Sequence, residues 1–211
     1  MNNFFHNQKI IFQTILVMLI FGLIFALILG LFYEKTNPVI LKSEAEAKKR
    51  MLLSLIESVE HDNDVEQDFF EIKPNSLLGN KKPSKAYRVK YGDELNAIIL
   101  ETRAPDGYSG DIFLLVAINK QSEIITTRVI KHQETPGLGD YIDIEKNPWI
   151  DIFKETSLKK PVERLWAVKK DNGDFDYISG ATITPRAVIK ALKNTLLFFE
   201  SNKHKLGFKD V

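Results

Sequence analysis

The sequence predicts an α+β protein: one N-terminal transmembrane helix, then a domain built on an antiparallel sheet with flanking helices. Three observations predict it. An uncharged, strongly apolar run occupies residues 10–33. Four strand-like runs follow one another between residues 86 and 131, separated by turn residues. A final amphipathic run at residues 185–199 sets Ala187, Val188, Ala191, Leu192 and Leu196 on one helical face. The expected organisation is a tail at residues 1–9, the membrane helix at 10–33, a juxtamembrane helix and linker at 34–84, the folded domain at 85–205 and a tail at 206–211. No internal repeat or low-complexity tract interrupts this order.

The apolar run has roughly 24 residues, about 36 Å as a helix, which exceeds a hydrocarbon core of about 30 Å. It is rich in Leu, Ile, Phe and Val, and Phe32 and Tyr33 close it at the interface. Gly22 and Gly30 are compatible with it, because glycine is common in membrane helices. A cleaved signal peptide would have a shorter apolar region and an A-x-A-like site, and no such site follows Leu31. A retained, single-pass anchor is therefore expected. Lys9 precedes the run, whereas Lys35, Lys42, Lys48, Lys49 and Arg50 follow it. Taken literally, the positive-inside rule puts the C-terminal part in the cytoplasm, although long domains translocate largely regardless of charge.

Asn37-Pro38 is expected to separate the anchor from an amphipathic helix over residues 39–59, whose Leu41, Ala45, Leu52, Leu53, Leu55 and Ile56 suit docking on the domain. Residues 60–67 and 74–84 read as loops. The strand runs are residues 86–91, 95–102, 111–119 and 123–131, the first two joined by a hairpin at Gly92-Asp93. Together they form an antiparallel meander. Residues 164–169 read as a further strand, ended by Asp171-Asn172-Gly173.

Composition excludes several classes. Lys and Arg total 29 against 28 Asp and Glu, so there is no electrostatic footprint for nucleic acid. The absence of cysteine removes disulfides, thiolate metal sites and cysteine nucleophiles. His6, His61, His132 and His204 are scattered, with no metal-ligand spacing among them, so no protein-built metal site is expected.

Three loops carry the candidate chemistry. Residues 104–110 include Gly107, Tyr108, Ser109 and Gly110, where two glycines allow a ligand close to the backbone. Pro105-Asp106-Gly107 is also ordinary turn chemistry, and the segment is no G-x-S-x-G elbow. Residues 131–140 crowd His132, Glu134, Thr135, Gly137, Leu138 and Asp140 into one connection, where His132 could pair with Glu134 or Asp140. Residues 176–186 run Asp176-Tyr177-Ile178-Ser179-Gly180-Ala181-Thr182-Ile183-Thr184-Pro185-Arg186. There Thr184 is explained as an N-cap with Pro185 at the first helical position. Thr182 has no such explanation. An anion beside it would meet the positive helix end, and Arg186 could add a charge-assisted contact. Physics alone leaves a phosphate site and a plain capped helix start both open.

Asp176-x-x-Ser179-Gly180-Ala181-Thr182 resembles the flavinylation motif of the FMN-binding domain family. That family includes the G subunit of the Rnf (Rsx) electron transport complex and the C subunit of the sodium-translocating NADH:quinone reductase. The anchor, Gly107-Tyr108-Ser109-Gly110, Glu134-Thr135-Pro136-Gly137-Leu138-Gly139 and Thr182-Ile183-Thr184-Pro185-Arg186-Ala187-Val188 all look like the Rnf G subunit. The resemblance implies FMN joined through its phosphate to Thr182 as a phosphoester, with Thr184 the weaker acceptor candidate. It implies that a dedicated flavin transferase recognises Asp176, Ser179, Gly180 and Ala181. It places Gly107, Tyr108, His132, Glu134, Thr135, Gly137 and Leu138 beside the isoalloxazine ring. It implies electron relay within a complex that couples NADH and ferredoxin, or another low-potential acceptor, to ion movement. The expected partners are the complex's other membrane and soluble subunits, the transferase and membrane lipid. The expected location is the bacterial inner membrane, with the soluble domain periplasmic. Two other readings compete: an anchored scaffold or assembly subunit without flavin, and a hydrolase using Ser109 or Ser179 with His132.

Overall fold

The computed structural model describes residues 2–208, with side chains from residue 11 onward. The chain divides between Ala47 and Lys48 into two compact units. The first unit lies within α1 (Asn2–Leu55), which begins inside the expected N-terminal tail. Every side chain from residue 11 to 36 is exposed, so this apolar stretch has no protein core around it. A helix satisfies its own backbone, which is what a hydrocarbon environment requires. α1 is long and apolar enough to cross a membrane.

The expected break at Asn37-Pro38 does not occur, because Pro38 lies inside α1. Proline removes one N–H, here the donor that would reach the Glu34 carbonyl. One missing bond is small against a ladder spanning 54 residues. The Thr36 hydroxyl donates to the Phe32 carbonyl at 2.7 Å.

The second unit holds a five-stranded antiparallel sheet in the order β1-β2-β3-β4-β5. Its strands are β1 (Phe69–Ile72), β2 (Ser84–Tyr91), β3 (Glu94–Ala104), β4 (Ile112–Asn119) and β5 (Ile124–Lys131). The α+β class and the meander are thus as the sequence predicts. Tyr91 pairs with Glu94 across Gly92-Asp93, confirming that hairpin. β1 is an addition. It has only four residues and pairs at the sheet edge with the start of β2, too short a run to show a period.

Residues 164–169 are not a strand. They hold one-turn 3₁₀ segments at Glu163–Leu165 and Lys169–Asp171, with a lone bridge from Val168 to Phe175. Trp166 and Val168 alternate because both point into the core, and no neighbouring strand offers them a ladder.

Side-chain alternation gives the sheet two buried faces. On one, Ile98, Leu100, Leu114, Val116 and Ile118 form a core with Val188, Leu192 and Leu196 of α2 (Ile183–Asn202). On the other, Tyr87, Val89, Ala97, Ile99, Leu115 and Ala117 pack with Leu52, Leu55 and Ile56. The end of α1 therefore docks on the sheet through Leu52, Leu55 and Ile56, whereas Leu41, Ala45 and Leu53 of the expected apolar set are exposed. The expected C-terminal tail contributes to the core as well: Leu206 and Phe208 are buried, and Phe208 packs edge-on against Phe199. Residues 209–211 of that tail lie outside the described residues. Between β5 and α2 the chain has little regular structure, and its order comes from aromatic packing. Tyr141, Trp149, Phe153, Trp166 and Phe175 form one connected cluster with ring centroids 4.9–6.2 Å apart.

Candidate functional site

The three candidate loops meet at the N-terminus of α2, around a cavity of about 330 Å³. Its lining includes Tyr108 from the first loop, Glu134, Thr135, Leu138 and Gly139 from the second, and residues 180–184 from the third. That volume lies at the lower end of the range for small-molecule sites.

Glu134 holds the three loops together. It is buried to 4% exposure. One carboxylate oxygen accepts the backbone N–H of Ser109 at 3.0 Å, and the other accepts the Thr184 hydroxyl. Two glycines make room for it. A Cβ on Gly139 would stand 2.8 Å from a Glu134 oxygen and 2.9 Å from the Thr184 hydroxyl, and one on Gly107 would stand 2.9 Å from the other Glu134 oxygen. These distances are too short for any side chain.

Thr184 therefore has a different role from the expected cap. Its side chain is 2% exposed and bonded to Glu134. The helix begins two residues earlier, at Ile183, with Thr182 at the N-cap position in αR geometry and with no side-chain capping bond. Pro185 falls within the first turn, where its missing N–H is one of those without an intrahelical partner in any case. Thr182 is half-buried on the cavity wall and its side chain has no capping duty.

The segment before Thr182 is clamped at both ends. Trp149 donates its indole N–H to the Asp176 carbonyl at 2.7 Å, and the Tyr141 hydroxyl donates to the Ala181 carbonyl at 3.4 Å. The two rings meet edge to face at 5.2 Å. Burial pushes the Tyr141 phenol up to about 12, so it stays a neutral donor at physiological pH. Between the clamps the chain turns at Gly180, whose φ of +93° favours glycine, leaving Ser179 and Gly180 exposed.

Other candidate residues have partners within the chain. Arg186 points to Asp171, with two hydrogen bonds of 2.6 and 2.7 Å that raise the guanidinium pKa and lower that of the carboxyl. Asp176 pairs with Lys169 at 2.7 Å. His132 pairs with neither Asp140 nor the Glu134 carboxylate: its Nδ1 accepts the backbone N–H of Glu134 at 3.1 Å, while Asp140 accepts from the Gly137 N–H at 2.7 Å. Among the described residues His132 makes no bond to Ser109 or Ser179, so the hydrolase reading has no assembled nucleophile and base. Replacing Arg186 with alanine should change the melting temperature little, since the pair is exposed and screened; a calorimetric comparison checks this.

Three residues of the site were not singled out from the sequence. Gly139 was visible in its loop, but the need for close approach appears only once Glu134 turns inward. Tyr141 and Trp149 act through bonds to residues 40 and 27 positions away, and no local pattern marks them.

Comparison with known proteins gives these loops a context. The FMN-binding domain family matches residues 107–197, a span that contains residues 107–110 of the first cavity loop and the whole of the other two. Over nearly its whole length the chain is similar to curated proteins named as the G subunit of an ion-translocating oxidoreductase complex. The one from Pseudomonas aeruginosa (strain UCBPP-PA14) is 38% identical over 200 residues, covering 95% of this chain and 94% of the relative. That from Shewanella loihica is 40% identical over 187 residues, covering 89% and 88%. That from Yersinia pestis is 41% identical over 166 residues, covering 79% of each. With that identity and coverage, the chain carries an FMN-binding domain and belongs to the family of G subunits of ion-translocating oxidoreductase complexes.

Proposed function

We propose that this chain is the membrane-anchored flavoprotein subunit of an ion-translocating oxidoreductase complex, carrying FMN as a phosphoester on Thr182 and relaying electrons between neighbouring subunits. The observation that carries this reading is the position of Thr182. It stands at the start of α2 with no capping bond, on the wall of the cavity where the three loops meet.

The site's chemistry fits a phosphorylated flavin. A phosphate on Thr182 would stand at the positive end of α2, next to N–H groups that lack intrahelical partners. Tyr108, Leu138 and Ile183 are 68%, 50% and 45% exposed at the cavity, an apolar surface suited to an aromatic ring. Thr184 is the poorer acceptor, because its hydroxyl is buried and already donates to Glu134. Ser179 and Gly180 stand out from the surface, where a flavin transferase could recognise them together with Asp176 and Ala181. His132, Thr135 and Gly137 would border the ring; Arg186 would reach the phosphate only by leaving Asp171.

Bound FMN would supply one- or two-electron transfer at its ring. The chain's own residues supply position. Thr182 prevents dissociation during turnover, Glu134 holds the loops in register, and the anchor keeps the domain beside its partner subunits in the bacterial inner membrane. The periplasmic side for the domain follows from the family resemblance, and the flanking charge does not oppose it, because long domains translocate largely regardless of charge. Treating spheroplasts with protease should degrade it, and protection would sink that placement alone.

Peptide mapping tests the central claim. In protein produced with an active flavin transferase, the tryptic peptide spanning residues 171–186 should carry the mass of FMN less one water, with fragmentation localising it to Thr182. An unmodified peptide from such a preparation would favour an anchored scaffold without flavin.

A further inference from the structure

A larger groove, about 540 Å³, lies at one end of the sheet among residues that the flavin site does not use. Phe113 and Ile130 contribute its apolar floor, and Lys81, Lys82 and Lys131 stand around it. Phe113 is opposite Arg103 in the sheet register and shares a face with Leu115 and Ala117. That is the face on which Leu52, Leu55 and Ile56 pack, but they do not cover Phe113, which is 37% exposed.

The groove is built rather than incidental. The Asn80 side chain donates to the Glu101 carbonyl at 3.0 Å. The Arg103 N–H reaches the Leu78 carbonyl at 2.9 Å, and its Nε reaches the Gly79 carbonyl at 2.6 Å. These bonds fix the loop that presents Lys81 and Lys82. Other charges in the groove are already matched: Lys48 pairs with Glu101 at 2.5 Å, and Arg103 with Asp111 at 2.7 Å. Lys81 and Lys82 are exposed and have no carboxylate partner among the described residues.

We propose that this groove docks an acidic segment of a partner subunit, with carboxylates at Lys81 and Lys82 and an adjacent apolar side chain on Phe113 and Ile130. The inference rests on the chain being a subunit of a larger complex. Cations beside an apolar floor match such a segment side chain by side chain. A lipid headgroup would satisfy the lysines but brings no apolar group for Phe113 and Ile130, whereas a peptide carries carboxylates and an apolar side chain on one segment. The groove is thus a protein interface on the sheet face opposite the one that packs against α2.

The test uses the full-length chain in cells that contain the whole complex. Phe113→p-benzoylphenylalanine, activated by light, should form an adduct with an acidic peptide of another subunit, identified by mass spectrometry. K81E/K82E should reduce co-purified partner subunits at least ten-fold at low salt, while K81R/K82R keeps them and both variants retain wild-type flavin content and melting temperature. Wild-type recovery should fall as salt rises, as for charge-assisted docking. Adducts to phospholipid alone, or wild-type recovery with K81E/K82E, overturn the groove assignment and leave the subunit reading intact. If wild-type protein retains no partner subunit at all, the subunit reading fails first and the groove assignment falls with it.

Discussion

Thr182→Ala should abolish covalent flavin, whereas Thr184→Ala should keep it and lose stability instead. The two threonines are two residues apart and chemically alike, so the contrast comes from their surroundings. Thr182 has no capping bond and lines the cavity, half-buried. Thr184 is 2% exposed, with its hydroxyl on Glu134. Esterifying Thr184 would need its buried bond to break and room for a phosphate where a Gly139 Cβ would not fit. Removing that hydroxyl leaves a Glu134 oxygen without its donor, at a cost of about 2 kcal/mol. For a domain of roughly 160 residues this corresponds to a fall of about 4–8 °C in melting temperature. In-gel flavin fluorescence after denaturing electrophoresis, on protein made with the transferase, reads the first effect; a thermal melt of the detergent-solubilised chain reads the second. Fluorescence that survives in Thr182→Ala and vanishes in Thr184→Ala would reverse the assignment.

These two threonines also show what a linear sequence discloses. Strands β2 to β5 were legible because each is long enough for apolar runs and turn residues to frame it. β1 was not, since four residues cannot establish a period and its pairing is fixed by β2. The run around Trp166 imitated a strand because alternation reports which side chains face inward, whether or not a ladder partner exists. At α2, sequence preference placed the helix start at Thr184-Pro185, a good cap followed by a good first residue. The tertiary bond to Glu134 takes that hydroxyl, and the helix starts earlier. Local propensity was overruled by one side chain 50 residues away in sequence. The positions of the three loops were readable from their glycines and polar clusters. Their convergence was implied only by the family resemblance and not by any local pattern, because it depends on Glu134 turning into the core.

That convergence makes Glu134 the residue whose loss should disturb the site most. Glu134→Ala removes the acceptor for both the Ser109 N–H and the Thr184 hydroxyl. Each buried donor left without a partner costs about 1–3 kcal/mol. Together they should destabilise the domain by about 4 kcal/mol, a fall of roughly 8–16 °C in melting temperature. The alanine also empties the space that Gly107 and Gly139 keep open, so the loops bearing Tyr108 and Leu138 lose their common support. Glu134→Gln separates geometry from charge. Its amide oxygen can still accept the Ser109 N–H, and its NH₂ can donate to the Thr184 oxygen, reversing that one bond while keeping the loops tied. The glutamine variant should therefore keep most of the melting temperature and most of the covalent flavin, while alanine loses much of both. Equal losses in the two variants would mean that the carboxylate's charge is what the site requires. Wild-type behaviour in the alanine variant would show that the loops are held by something other than Glu134.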